Sequence, residues 1–227
     1  MVTVVSLGGS IVAPDAPDTH FLSQFVLMTQ SWLAEDGARK LILVIGGGGP
    51  ARAYQQAYRM ASDGVYDNSE ADWIGIMATR LNAQLVHALF KSQCPQDVVY
   101  DPTQVSEFSG RVMVAAGWKP GFSTDNDAVL LAERFAARIV INVSNIEKVY
   151  TADPRVNPGA KPLDSISWEE FRTMVGDEWI PGKNTPFDPI ASRRAQSARI
   201  RVFCIGKQID NIRRALDERD FVGTIIG

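Results

Sequence analysis

Cysteine and histidine are both scarce, with two of each in 227 residues. Cys94 and Cys204 leave no CxxC pair, and two histidines make no metal-ligand cluster, so a reduced, cytosolic compartment is expected. A basic excess is missing as well: the net charge is −3, which argues against nucleic acid or an acidic membrane surface as a partner. Any anion site must therefore be built locally. No apolar run approaches the length of a membrane span. After Met1 the chain enters a strand-like run without the basic segment and apolar stretch of a signal peptide. There is no internal repeat. There is also no G-x-x-x-x-G-K-[ST], which excludes a P-loop enzyme.

What is present is an ordinary globular composition, 45% apolar and 22% charged, with ample length for a buried core. Thr3–Leu7, Leu41–Ile45, Ile139–Val143, Arg201–Ile205 and Val222–Ile226 read as strands, with short ones at Val98–Tyr100 and Val112–Ala115. Helical spacing of apolar residues marks Phe21 to Leu33, and helices are also expected from about Ala51 to Met60, from Ser69, from Asp125 to about Phe135, over Ser167–Val175 and over Ile209–Leu216. Ser69-Glu70-Ala71-Asp72 resembles a capping box, and Asp188-Pro189 pairs an N-cap with a first-turn proline. Alternating strands and helices imply an α/β fold whose mainly parallel sheet is covered on both faces. No linker is visible, so residues 1–227 are expected to form one domain, with a softer C-terminal lobe beginning near Asn145. Two long polar segments, "SNIEKVYTADPRVNPGAKPLD" and "IPGKNTPFDP", read as exposed loops of functional length.

Glycine is where the sequence is most specific. "VVSLGGS" opens the chain and "VIGGGGPAR" follows the second strand. Three readings compete for Gly46–Gly49: a tight strand-to-helix turn, a dinucleotide fingerprint, or a phosphate cradle. The turn needs only one or two glycines. The fingerprint fits Gly46, Gly48 and Ala51 loosely but lacks an acidic residue ending the next strand. The cradle is favoured by Arg52, which stands beside the glycines as a bidentate clamp for an anion. Two glycine turns after two different strands suit two phosphate-bearing substrates that face each other, the arrangement for moving a phosphoryl group.

"SLGGS", "VIGGGGPAR", "DWIGIMATRLNA", "KPGFSTDNDAVLLAE", "SNIEKVYTADP" and "FDPIAS" follow in the order and spacing of the amino acid kinase superfamily. The chain resembles its compact, archaeal-type uridylate kinases over essentially its whole length. The resemblance implies a three-layer αβα sandwich around a mostly parallel sheet and transfer of the ATP γ-phosphate to UMP. It also implies homodimers or homohexamers, with the surplus of apolar residues between Trp73 and Phe90 forming the dimer face. Gly8, Gly9 and Ser10 would hold the ATP phosphates, and Asn145, Tyr150 and Asp153 the ATP side, although Asp153-Pro154 also reads as a turn. Gly46, Gly47, Gly48 and Arg52 would hold the UMP phosphate. Asp72 would bond the ribose or cap its helix, and the Gly117–Thr124 loop, through Ser123 and Thr124, would contact the uracil. Asp125 would stand at the reaction centre, or simply at a helix N-terminus. Mg2+ would come with ATP, held mainly through its phosphates, with Asp125 orienting the ion or its waters.

Two departures stand out. The family's first-strand lysine, two residues before the glycine pair, is here Ser6, and Lys148 replaces a glycine of the usual "NVDGVY". Lys148 is therefore expected to contact the ATP phosphates in partial compensation, with Lys183 a further candidate. Isopentenyl phosphate kinases, near rivals by length, use a histidine in the second glycine loop, which this chain lacks. The competing readings are a sister kinase acting on another small acceptor and a catalytically weak nucleotide-binding protein.

Overall fold

The computed structural model describes residues 2–178 and 185–227. Its elements run β1 (Val2–Leu7), α1 (Gly9–Val12), α2 (Thr19–Glu35), β2 (Lys40–Ile45), α3 (Gly48–Ala61), α4 (Asn68–Leu89), β3 (Val112–Ala115), α5 (Thr124–Arg134) and β4 (Ile139–Val143). They continue as β5 (Ser165–Ile166), α6 (Trp168–Val175), α7 (Pro189–Ala198), β6 (Arg201–Ile205), α8 (Ile209–Leu216) and β7 (Gly223–Ile226). One sheet joins the strands in the order β3-β2-β1-β4-β6-β7-β5. Every pairing is parallel except that of β6 with β7.

The strand sequences explain the layers. Alternate side chains point to opposite faces, and because both faces are covered the strands are apolar almost throughout. Leu7, Leu41, Leu43 and Ile45 pack with Phe25 and Trp32 of α2, Phe90 after α4 and Ile212 of α8. Val4, Ile42, Val44 and Val140 pack on the other face with Val129 of α5, Phe171 of α6 and Ala191 of α7.

One row of this apolar sheet is polar. Ser6 is in register with Asn142, Asn142 with Cys204, and Cys204 with Thr224. All four are buried. The row crosses the sheet near the carboxyl ends of β1, β4 and β6. A buried polar row needs partners, and its position places those partners under the crevice where ligands meet such sheets.

Local signals set several boundaries differently from the sequence expectations. The start of α4 is capped by Asp67, whose side chain accepts from Glu70 N, so the Ser69–Asp72 box is not used. Val98–Tyr100 contributes only one bridge, Val99 to Ala115. The segment after β4 carries only the Tyr150–Pro162 bridge before β5, a two-residue strand that sequence periodicity cannot reveal. The end of the second long loop is not exposed: Phe187 is fully buried and Asp188 nearly so. Asp188 caps α7 with Pro189 in the first turn, as its sequence predicts.

Candidate active site

Leu7 is in register with both Ile45 and Val143, so the turns leaving β1, β2 and β4 emerge side by side. Between β1 and β4 the strand order reverses direction, which is where such sheets open a crevice. Gly8 N donates to Val143 O at 2.9 Å and Gly46 N to Leu7 O at 2.9 Å, tying the three turns together.

The run of four glycines is explained first by the other glycine turn. A Cβ on Gly9 would lie 1.9 Å from Gly48 N, and one on Gly46 would lie 2.3 Å from Gly9 N. Gly48 has φ +66° and its Cβ would strike Ala13 O at 2.2 Å, while a Cβ on Gly49 would meet Pro14 O at the same 2.2 Å. The two turns therefore pack backbone against backbone. This close approach brings the two turns nearer than side chains would permit.

Beside the second turn lies a cavity of about 330 Å3. It gathers Gly47, Gly48, Arg52, Asp72, Gly117, Ser123 and Thr124, residues separated in sequence by more than seventy positions. Ala51, Gln55, Gly75, Ile76, Thr79, Gly121 and Phe122 complete the wall, and of these only Gln55 lies outside the segments that the sequence marks. Gly46 lies behind the wall, where Asn82 donates to its carbonyl at 2.9 Å. Arg52 reaches the cavity from one turn inside α3, and its Nη2 donates to Pro14 O at 3.0 Å. Asp72 Oδ2 accepts from Gly121 N at 3.0 Å. Ser123 caps α5, its hydroxyl accepting from Asn126 N at 3.2 Å.

Asp125 lies on the seam between this cavity and the β4 side. Ser6 Oγ donates to its Oδ1 at 3.2 Å and Asp188 N donates to its Oδ2 at 3.3 Å. No described cation pairs with it. Burial, reinforced by the Asp188 charge and opposed by these donors, pushes its carboxyl up to about 7. Asp127, two residues along α5, is also pushed to about 7 by burial, partly offset by the Trp118 N–H it accepts. Cys204, in the polar row, is pushed up to about 12, chiefly by burial and then by the Asp125 charge. Both cysteines are free thiols and buried.

The residues expected on the ATP side are arranged otherwise. Gly8, Gly9 and Ser10 form the first turn and enter α1, whose first residue is Gly9. Ser144 N donates to Ile205 O at 3.0 Å, which brings the loops after β4 and β6 together next to that turn. Asn145 and Asp153 are exposed and Tyr150 is half-buried. Asp153 holds Arg155 N at 2.9 Å and the Arg155 guanidinium at 2.8 Å, the geometry of a self-contained turn. Lys148 Nζ pairs with the exposed Asp164 carboxylate. Lys183 lies outside the described residues.

A mostly parallel sheet with two abutting glycine turns at its topological switch point, an arginine beside one of them and an enclosed carboxylate on the seam offers neighbouring places for two anionic ligands. A model of the amino acid kinase family matches residues 1–206, and the chain belongs to that family. A uridylate kinase from Methanospirillum hungatei is 32% identical, the match covering 98% of this chain and 93% of the relative. A uridylate kinase from Pyrococcus abyssi is 33% identical over 92% of this chain and 91% of the relative. The crystal structure of a uridylate kinase from Archaeoglobus fulgidus superimposes with a TM-score of 0.85 at 31% identity, covering all of both chains.

Proposed function

We propose that this chain is a UMP kinase, transferring the γ-phosphate of ATP to UMP to give ADP and UDP. The observation that carries the reading is the cavity that brings Gly47, Gly48, Arg52 and Asp72 to the Gly117–Thr124 loop. An arginine, a carboxylate and a loop that presents Ser123 and Thr124 suit the phosphate, ribose and base of a nucleotide. The similarity to uridylate kinases over nearly the whole chain selects UMP among nucleotides.

The chemistry asks little of side-chain bases. A UMP phosphate oxygen, already anionic at neutral pH, attacks the γ-phosphorus while the bond to the bridging β–γ oxygen breaks and ADP leaves. Catalysis is then alignment and neutralisation of crowded negative charge. Arg52 supplies a fixed fork for the acceptor phosphate. The amides of Gly9 and Ser10, which open α1, would face the donor phosphates beside it, while the Gly8 amide is held by Val143 O. Ser6 and the Asp188 amide hold Asp125 in one orientation. An enclosed carboxylate with no described cation beside it and a hydroxyl next to it offers hard oxygen atoms that fit Mg2+ delivered with ATP. When bound, the ion would supply charge neutralisation on the phosphates, and Asp125 would orient it or its waters. Ser6 offers no charge where the family carries a lysine, and Lys148, with Lys183 a further candidate, is proposed to supply part of it. A surface ion pair such as Lys148–Asp164 contributes little to stability, so it can be exchanged for a phosphate contact.

The outer face of α4 carries Trp73, Met77 and Leu81, with Met77 58% and Leu81 69% exposed. Their spacing aligns them on one stripe. A second copy of the chain is the proposed cover, giving a homodimer or a homohexamer built from dimers, which sedimentation at micromolar concentration reads directly. No helix among the described residues is long and apolar enough to cross a membrane. Two buried thiols support the proposed cytosolic setting.

An ADP-release assay over nucleoside monophosphates and small phosphate or carboxylate acceptors tests the function. UMP is expected to give the highest kcat/KM. Turnover confined to another acceptor makes the chain a sister kinase, and nucleotide binding without turnover makes it a binding protein.

A further inference from the structure

The loop that completes the acceptor cavity is held by side chains where the sheet no longer holds it. The ladder of β3 ends at Ala115, and Ala116 N makes a last bond to Val99 O. From there, Gly117 N donates to Thr79 Oγ1 at 2.8 Å and Trp118 N to Asp127 Oδ2 at 3.2 Å. Arg80 takes both carbonyls, with Nε donating to Gly117 O at 3.4 Å and Nη2 to Trp118 O at 3.0 Å. Every main-chain polar group of Gly117 and Trp118 is thus held, by α4 from one side and by α5 from the other. The Arg80 guanidinium is itself fixed over the Tyr100 ring, 4.6 Å from its centroid, with Trp73 at 5.7 Å. Arg80 is not part of the cavity wall, whereas Gly117, Phe122, Ser123 and Thr124 are.

We infer that Arg80 is a positioning residue for acceptor recognition: its two-pronged hold on the Gly117 and Trp118 carbonyls sets the loop that meets the acceptor's base. It acts without touching the acceptor. The assignment rests on the UMP kinase reading, in which this loop faces the base while Arg52 faces the phosphate. Asp127 works against Arg80 from α5, holding the Trp118 amide and keeping the peptide from rotating. A planar fork is required because the two carbonyls are held by two different nitrogens. A lysine offers one point charge and cannot span both.

Arg80→Lys tests this by separating the base from the rest of the acceptor. The UMP KM is expected to rise about tenfold or more, as for a lost charge-assisted contact, with the ATP KM unchanged and kcat nearly so. Ribose 5-phosphate keeps the sugar and phosphate but has no base, and its inhibition constant is expected to stay at the wild-type value. Tyr100→Leu removes the aromatic platform while leaving both hydrogen bonds, so it is expected to lower Tm more than it moves the UMP KM. Arg80→Gln, with one donor group, is expected to give the same split and serves if the lysine variant folds poorly. An unmoved UMP KM in folded Arg80→Lys overturns the inference, as does a parallel loss of UMP and ribose 5-phosphate. Absence of UMP turnover in the wild-type chain overturns the functional reading instead, so the two failures are distinguishable.

Discussion

The two halves of the crevice are built in contrasting ways. On the β2 side, helices hold the loops: Thr79, Arg80 and Asp127 fix Gly117 and Trp118, Asp72 fixes Gly121, and Asn82 fixes the glycine turn. A formed cavity results. On the β4 side, the long segment before β5 spends its polar groups on itself, with Asp153 on Arg155 and Lys148 on Asp164. On the proposed assignment, the difference teaches that acceptor geometry is set before any ligand arrives, while ATP-side groups would exchange local partners for phosphate. Preformed sites lose less freedom on binding, so selectivity is expected to lie on the acceptor side.

Asp125 stands on the seam, and its removal is the strongest way to break the contrast. Asp125→Asn keeps the shape and removes the charge, and kcat is expected to fall about a hundredfold or more with both KM values little changed. Steady-state kinetics check it; a variant that loses Tm but keeps turnover reduces Asp125 to a helix-terminal carboxylate. Next in size is Arg52→Ala. A lost bidentate contact of roughly 2–4 kcal/mol raises the UMP KM by tens- to several-hundredfold and leaves the ATP KM intact. Equal losses for both substrates would erase the division into halves. On the other side, Lys148→Met is expected to cut kcat/KM for ATP by about tens-fold, with Lys148→Arg partly active. Turnover equal to wild type confines Lys148 to its pair with Asp164.

The smallest effect is on stability. Asp125 and Asp127 rise from 3.8 to about 7 in the folded chain, so the folded state holds their protons more tightly than the unfolded state. The stability this contributes is complete below the unfolded value and is lost as pH rises through about 7. The ligand-free protein is therefore expected to melt several degrees higher near pH 5.5 than near pH 8. The carboxylates held low, Glu35, Asp153 and Glu170, titrate below this window. Asp127→Asn keeps an acceptor for Trp118 and is expected to flatten the difference. An unchanged melting curve for wild type across this range contradicts the assignment.

The sequence by itself determined the sheet-and-helix order, because unbroken β-branched runs bury on two faces and helical apolar spacing buries on one. It also determined that two glycine turns follow two strands, and that Arg52 stands beside one of them. What it could not determine were partners remote along the chain. Four glycines in a row look like room for a ligand alone, yet the backbone of the other turn already claims the space beside Gly46 and Gly48, and Pro14 that beside Gly49. Ser69–Asp72 looks like a cap, yet Asp67 lies one residue before the helix and takes the role, which frees Asp72 for Gly121. Thr79, Arg80 and Asp127 resemble any polar residues on amphipathic helices. Only packing α4 and α5 around the end of β3 makes them the struts of the acceptor loop, because backbone groups leaving a sheet must find partners wherever the fold brings them.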